Sequence, residues 1–271
     1  MKYFTTFLLS LFCTIAMAQQ EVKLFLEKKS NSYILYAGNA ALCPMTISVD
    51  LTLENLRFSK ADTKIFVIPA KTEKMELGKL AVMDYRLPHK YTYFFKFNFG
   101  DVNISKYDTT YEYDLPYHKG SSFQIIQGYN GLFSHKNEYS LDFNMPENTD
   151  VLAAREGSVI RVVQNNSQSC MREECKQFSN YVIVYHSDGT FANYVHLKLN
   201  GSNVKVGDFV KKGDLIGYSG NTGFSSGPHL HFSCFVSADV EKIKTFKTKF
   251  KIQDGTKLDY LQEKLIYRRD Y

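Results

Sequence analysis

Gly227-Pro228-His229-Leu230-His231-Phe232-Ser233-Cys234-Phe235-Val236 is the stretch from which the rest of the chain is read. It closes a glycine-rich loop beginning at Gly217, and after His231 it is apolar and aromatic, as strands are. On a strand, side chains at i and i+2 share a face, so His229 and His231 look the same way. A helix would splay them apart. One imidazole can then hold a metal ion while its neighbour handles protons beside it. The pair alone is a weak signal, because two histidines on a strand are more often a hydrogen-bonded pair. Company raises its weight: of seven histidines, His135 and His196 also stand at strand ends beside loops. Asp142 lies inside the apolar run Tyr139-Ser140-Leu141-Asp142-Phe143. A carboxylate between Leu and Phe needs a cation or strong hydrogen bonds. Two imidazoles, one carboxylate and an open fourth position are the donor set of a catalytic zinc site.

Around that motif the second half reads as short strands at 123–126, 140–143, 157–163, 181–185, 191–196, 209–216 and 230–236. One helical turn is expected at 259–264. The first half is also strand-like, at 22–26, 33–36, 45–53, 64–68, 75–83 and 91–99. Alternation is clearest in Ile47-Ser48-Val49-Asp50-Leu51-Thr52-Leu53, with one apolar and one polar face. Strands at roughly ten-residue spacing suggest a small antiparallel sandwich. It clusters no reactive residues, and His89 stands alone beside Pro88. The fold class expected is all-β. The division expected is a signal peptide at 1–18, a sandwich-like accessory domain at 19–106, a linker at 107–122 and a second β-sheet domain at 123–271.

The signal peptide is read from Lys2, the apolar run from Phe4 to Ile15 and the small-x-small close Ala16-Met17-Ala18. No later run approaches the roughly twenty apolar residues of a membrane span. Export to the periplasm or the extracellular space follows. Removing Lys2 from the formal +5 leaves about +4, with no concentrated basic block. Nucleic acid is a poor partner, since no basic stripe is interleaved with aromatics. Cys170 and Cys175 could clamp a polar loop in an oxidising compartment, or be two unrelated thiols. No Cys-x-x-Cys spacing occurs, so cysteine is not the expected ligand. The loop 217–227 lacks the Lys-Ser/Thr of a phosphate cradle, which excludes that mode of nucleotide binding. His186 precedes the turn Ser187-Asp188-Gly189-Thr190 and is read as structural.

Several segments, in order, resemble the lysostaphin-like, LytM-type zinc metallopeptidases that cut peptide cross-bridges in bacterial cell walls. They are Phe133-Ser134-His135, Ser140-Leu141-Asp142-Phe143, Met145-Pro146-Glu147-Asn148-Thr149, Tyr194-Val195-His196-Leu197, Val206-Gly207-Asp208, Gly220-Asn221-Thr222-Gly223 and Gly227-Pro228-His229-Leu230-His231. The resemblance covers 124–261. It implies that His135, Asp142 and His231 bind one Zn2+ ion, that His196 and His229 are unligated catalytic histidines, and that peptidoglycan peptides are the substrate. Two departures stand out. His135 and Asp142 are seven residues apart, where the best-known members have four, and Asn148 replaces a usual glycine. The Lys136-Asn137-Glu138 turn could return the chain to the metal, and Asn tolerates the left-handed conformation. The alternative function is a non-catalytic module of the same fold that binds cell wall or activates a hydrolase.

Overall fold

The computed structural model describes residues 21–271, so the expected signal segment at 1–18 lies outside the described residues. The described chain is built almost wholly of strands. In the first half, Val22–Lys29, Ser32–Asn39, Thr72–Val82 and Leu56–Phe58 form one antiparallel sheet in that order. Ile65–Ile68, Met45–Glu54 and Lys90–Phe99 form a second. The alternation read at 47–53 sets which side is inward: Ile47 and Val49 are buried while Asp50 is exposed. The two sheets share a core that includes Leu35, Ala37, Met45, Ile47, Leu77 and Leu80.

The second half is organised by a nine-stranded sheet. Its central strands run in the order Gly157–Val163, Tyr181–Tyr185, Phe191–Val195, Leu230–Ser237, Ser140–Phe143 and Ser122–Gln127, each antiparallel to its neighbour. Because strand side chains alternate, this sheet has two distinct faces. One face places Val182, Val184, Ala192, Tyr194, Phe232 and Cys234 in a core shared with Val151, Ile216 and Phe250. The other face carries Ile183, Phe191 and Phe235, which join the core of the first-half sandwich together with Ile160. Phe191 stacks on Phe235 with ring centroids 5.0 Å apart. Each such fully buried side chain contributes about 1.5–3 kcal/mol. His231 is on the same face as Phe235, further along the same strand, so the sandwich and the histidines stand on one surface of one sheet.

Three expectations need correction. The segment 107–122, expected as a linker, pairs Glu112–Tyr113 in parallel with Lys249–Ile252 and buries Tyr113, Leu115 and Tyr117. Its aromatic residues are core, not spacer. The single strand expected at 209–216 is two, Phe209–Val210 and Leu215–Ser219, which join different sheets. A turn separates them, with Gly213 at φ 91° and the Lys211 amide donating to the Asp214 carboxylate at 2.7 Å. No helical turn forms at 259–264; among the described residues the helical element is the 3-10 turn Glu173–Phe178. It begins inside the loop closed by the Cys170–Cys175 disulfide and runs three residues past Cys175.

Candidate metal centre and its cleft

Ser140–Phe143 is buried along its whole length between Ser122–Gln127 and Leu230–Ser237. Its register puts Asp142 opposite His231 on one side and opposite Gln127 on the other. Directly opposed residues have Cβ atoms about 4.5–5.5 Å apart, so strand pairing alone brings carboxylate and imidazole together. Asp142 Oδ1 is 2.9 Å from His231 Nδ1. The loop 128–138 supplies His135. Its backbone N–H donates to the Gly131 carbonyl, and the following turn closes with Asn137 at φ 62° and the Glu138 amide donating back to His135. That turn absorbs the seven-residue spacing to Asp142. His135 Nδ1–H donates to the Gly128 carbonyl at 3.0 Å, which leaves Nε2 with its lone pair facing inward. His135 Nε2 lies 3.2 Å from His231 Nδ1 and 3.3 Å from Asp142 Oδ1.

Those three separations test whether a metal fits. Donors about 2.0–2.1 Å from a tetrahedral ion are roughly 3.3 Å from each other. The observed 2.9, 3.2 and 3.3 Å are close to the edges of one face of such a tetrahedron. The donor chemistry agrees, because two imidazole nitrogens and a carboxylate oxygen converge in a largely buried place. Burial would raise the Asp142 carboxyl, but the adjoining imidazoles of His135 and His231 hold it far below the usual carboxylate range. Burial presses His135 down, yet the hydrogen bond and charge of Asp142 carry it above its ordinary value. A site that so strongly favours an anion at its centre favours a cation beside it.

His196 sits where the Phe191–Val195 and Leu197–Ser202 strands meet, at φ 64°. This left-handed conformation is costly for a residue with a Cβ and is held by the strands on either side. The kink lets His196 Nδ1–H donate to the Thr222 carbonyl at 2.6 Å. His229 Nδ1 contacts the Gly227 carbonyl at 2.8 Å in the same way. Both rings therefore present Nε2 to the site, with centroids 4.6 Å apart, and His229 Nε2 is 3.8 Å from Asp142 Oδ1. Burial, then the charges of His229 and His231, pushes His196 down to about 3. Burial lowers His229 as well. Both are neutral at physiological pH. All five residues singled out in the sequence, His135, Asp142, His196, His229 and His231, are thus brought into one cluster.

The other histidines lie elsewhere. His186 is buried beside Arg155 and contacts the Glu156 carbonyl through Nδ1 at 2.7 Å. His89 meets the Tyr33 hydroxyl, and His118 meets Asp150, both at the surface. Asn148 adopts φ 69°, the left-handed conformation that asparagine tolerates.

Sequence reasoning missed Gln127, Phe133, Lys176 and Phe224. Gln127 Nε2 donates to Asp142 Oδ2 at 3.1 Å and to Ser134 Oγ at 2.7 Å, orienting the carboxylate from behind. Its signal was available: Phe123, Ile125 and Gln127 share a face by alternation, so a polar residue occupied an inward position. The aromatic and cationic residues gave no such signal, because their meeting depends on loops. Two cavities flank the cluster. One, about 410 Å³, is lined by Ile126, Asn144 and Pro228; the other, about 250 Å³, by Glu138, Lys176 and Asn193. Ser134, His196, Phe224 and His231 line both.

Residues 136–242 match the model for Peptidase family M23. The matched span opens one residue after His135 and contains the other four residues of the cluster. An uncharacterized metalloprotease of Buchnera aphidicola subsp. Baizongia pistaciae is 37% identical over 109 residues, which is 40% of this chain and 26% of that protein. Lysostaphin of Staphylococcus staphylolyticus is 35% identical over 100 residues, 37% of this chain and 19% of its own length. Peptidoglycan DD-endopeptidase ShyA of Vibrio cholerae is 36% identical over 95 residues, 35% of this chain and 19% of its own. The chain matches about a fifth to a quarter of the length of these relatives.

Proposed function

We propose, on the premise that residues 136–242 are a peptidase family M23 domain, that this chain is an exported zinc-dependent endopeptidase hydrolysing peptide cross-links of bacterial peptidoglycan. The observation that carries the reading is the triangle of His135 Nε2, His231 Nδ1 and Asp142 Oδ1, with sides of 2.9–3.3 Å, beside two inward Nε2 atoms. In this reading His135, Asp142 and His231 hold the zinc, and His196 and His229 are the catalytic histidines. Residues 123–271 are the peptidase domain and 19–106 an accessory domain. The names of the relatives, lysostaphin and a peptidoglycan DD-endopeptidase, support the substrate class.

Bound in that triangle, zinc supplies Lewis acidity, polarising a carbonyl and lowering the pKa of water from about 15.7 toward 7. The chain's residues do the rest. Gly128, Thr222 and Gly227 carbonyls fix the tautomers of His135, His196 and His229, so each lone pair faces the reacting atoms. One of His196 and His229 accepts the proton of the attacking water through Nε2 and returns it to the departing amine nitrogen. Water is thereby added across the C–N bond, hydroxyl to the carbonyl carbon and proton to the nitrogen. Gln127 keeps Asp142 Oδ2 occupied, leaving Oδ1 for the ion.

The test is zinc content of the purified mature protein together with release of new amino groups from isolated sacculi. One zinc per chain and hydrolysis lost in His231→Ala are expected. Undiminished hydrolysis in that variant would refute the assignment. Binding to sacculi with no zinc-dependent cleavage would replace it with the non-catalytic module.

A further inference from the structure

Phe133, from the loop that carries His135, and Phe224, from the loop that precedes His229, stack on each other, with ring centroids 5.8 Å apart and planes 24° from parallel. They meet beside Ser134, His196 and His231, where the two cavities adjoin. We propose that this aromatic pair is a specificity-determining gate across the cleft, which opens to admit a chain tethered at both ends and closes over it. The proposal rests on the peptidase reading and deepens it by naming the topology of the substrate.

The two halves of the gate are held differently. Phe224 is the fixed half. Gly223–Phe224 pairs in parallel with Ser169–Cys170, and Cys170 is bonded to Cys175. Gly223 has φ 84°, and a Cβ there would fall 2.0 Å from Ser179 Oγ, so this backbone is seated directly on the neighbouring loop. The Lys176 ammonium lies 5.7 Å from the Phe224 ring centroid, placing a cation against the ring that also stacks on Phe133. Phe133 is the swinging half. It follows Leu132, which is 96% exposed, and is itself 63% exposed. The amides of Gly131 and His135 donate to backbone carbonyls and that of Ser134 to Gln127 Oε1, so the turn is tied on both sides of Leu132 and Phe133. Rotation about the side-chain bonds of Phe133 can part the rings without displacing His135.

A strand of cross-linked wall has no free end near the bond to be cut, so it cannot be threaded beneath a closed bridge. It must enter from the side, which requires the Phe133–Phe224 contact to break. A short peptide with free ends can enter the 410 Å³ cavity end-on and does not need the contact to break. Gates of this kind act by controlling entry and commitment.

The test seals the gate. Phe133→Cys and Phe224→Cys are combined and bridged with a short bis-maleimide; Cys43 and Cys234 are buried and do not compete. The zinc-loaded sealed protein is compared with the same double variant left unbridged, on intact sacculi and on a short soluble peptide. Sealing is expected to lower sacculus digestion roughly tenfold or more while soluble-peptide hydrolysis stays within about threefold. Equal digestion of sacculi by both forms overturns the gate. Binding is measured alongside, by sacculus co-sedimentation and by calorimetry with the peptide. If neither form hydrolyses anything but sealing removes only sacculus binding, the peptidase reading fails and the gate stands. If neither form hydrolyses anything and sealing leaves sacculus binding unchanged, the gate fails.

Discussion

His186 offers a measurement of how strongly this fold depends on keeping an imidazole neutral. It is fully buried, and burial first, then the Arg155 charge, pushes it down from 6.5 to about 4. A depressed histidine stabilises the fold at pH above its unfolded value, and that contribution is lost as pH falls from about 6.5 through 4. Linkage over this window gives a loss of about 2 kcal/mol by pH 5 and about 3 kcal/mol by pH 4. The assay is urea unfolding of metal-free protein at steps from pH 7 to pH 4, for the wild type and for His186→Asn. Asparagine can still donate to the Glu156 carbonyl but does not titrate. Relative to its own value at pH 7, the wild type should lose about 3 kcal/mol more than the variant by pH 4. Other acid-sensitive groups, including His196, are common to both proteins and cancel. Parallel stability curves across the whole range would refute the reasoning and mean that His186 reaches water more easily than its packing allows.

The remaining expectations concern the ion, the staple and the shared core. Gln127→Ala should weaken zinc affinity about 10- to 100-fold without removing a ligand, by freeing the Asp142 carboxylate to turn; competition with a chromogenic chelator measures it. His229→Ala should keep stoichiometric zinc and lose hydrolysis, and loss of the metal would move His229 from proton transfer to ligation. Cys170→Ser with Cys175→Ser should cost about 2 kcal/mol, the loop-closure contribution of so short a ring, in thermal unfolding. Phe191→Ala should cost about 3–5 kcal/mol because its ring fills the core common to the sandwich and the large sheet. The wild type should unfold in one calorimetric transition, and two well-separated transitions would show that this common core does not couple the halves.

The candidate site was legible because strand geometry is simple. The i, i+2 rule placed His229 and His231 on one face, and the apolar neighbours of Asp142 marked a buried carboxylate that register then set opposite His231. His135 was harder, since the matched family span begins after it and its place in the cluster depends on the turn at 136–138. The sandwich followed from alternation at 47–53. Its seat did not. Tyr181-Val182-Ile183-Val184-Tyr185 and Phe232 to Val236 are continuous apolar runs, and such runs belong to strands covered on both faces. They announced a second covering layer without saying what it was. Period-two patterning gives faces and not partners, so the Phe133–Phe224 stack and the burial of Tyr113, Leu115 and Tyr117 came only from tertiary packing.

Phe235 packs into the core of the sandwich and His231 belongs to the candidate metal site, four positions apart on one strand. At about 3.3 Å per residue that is some 13 Å along a rigid ruler. In the proposed function, anything the sandwich binds would be held at that fixed offset from the bond to be cut, with no slack tether to dilute the encounter. Detaching the sandwich from that strand would lose the registration that the common strand imposes.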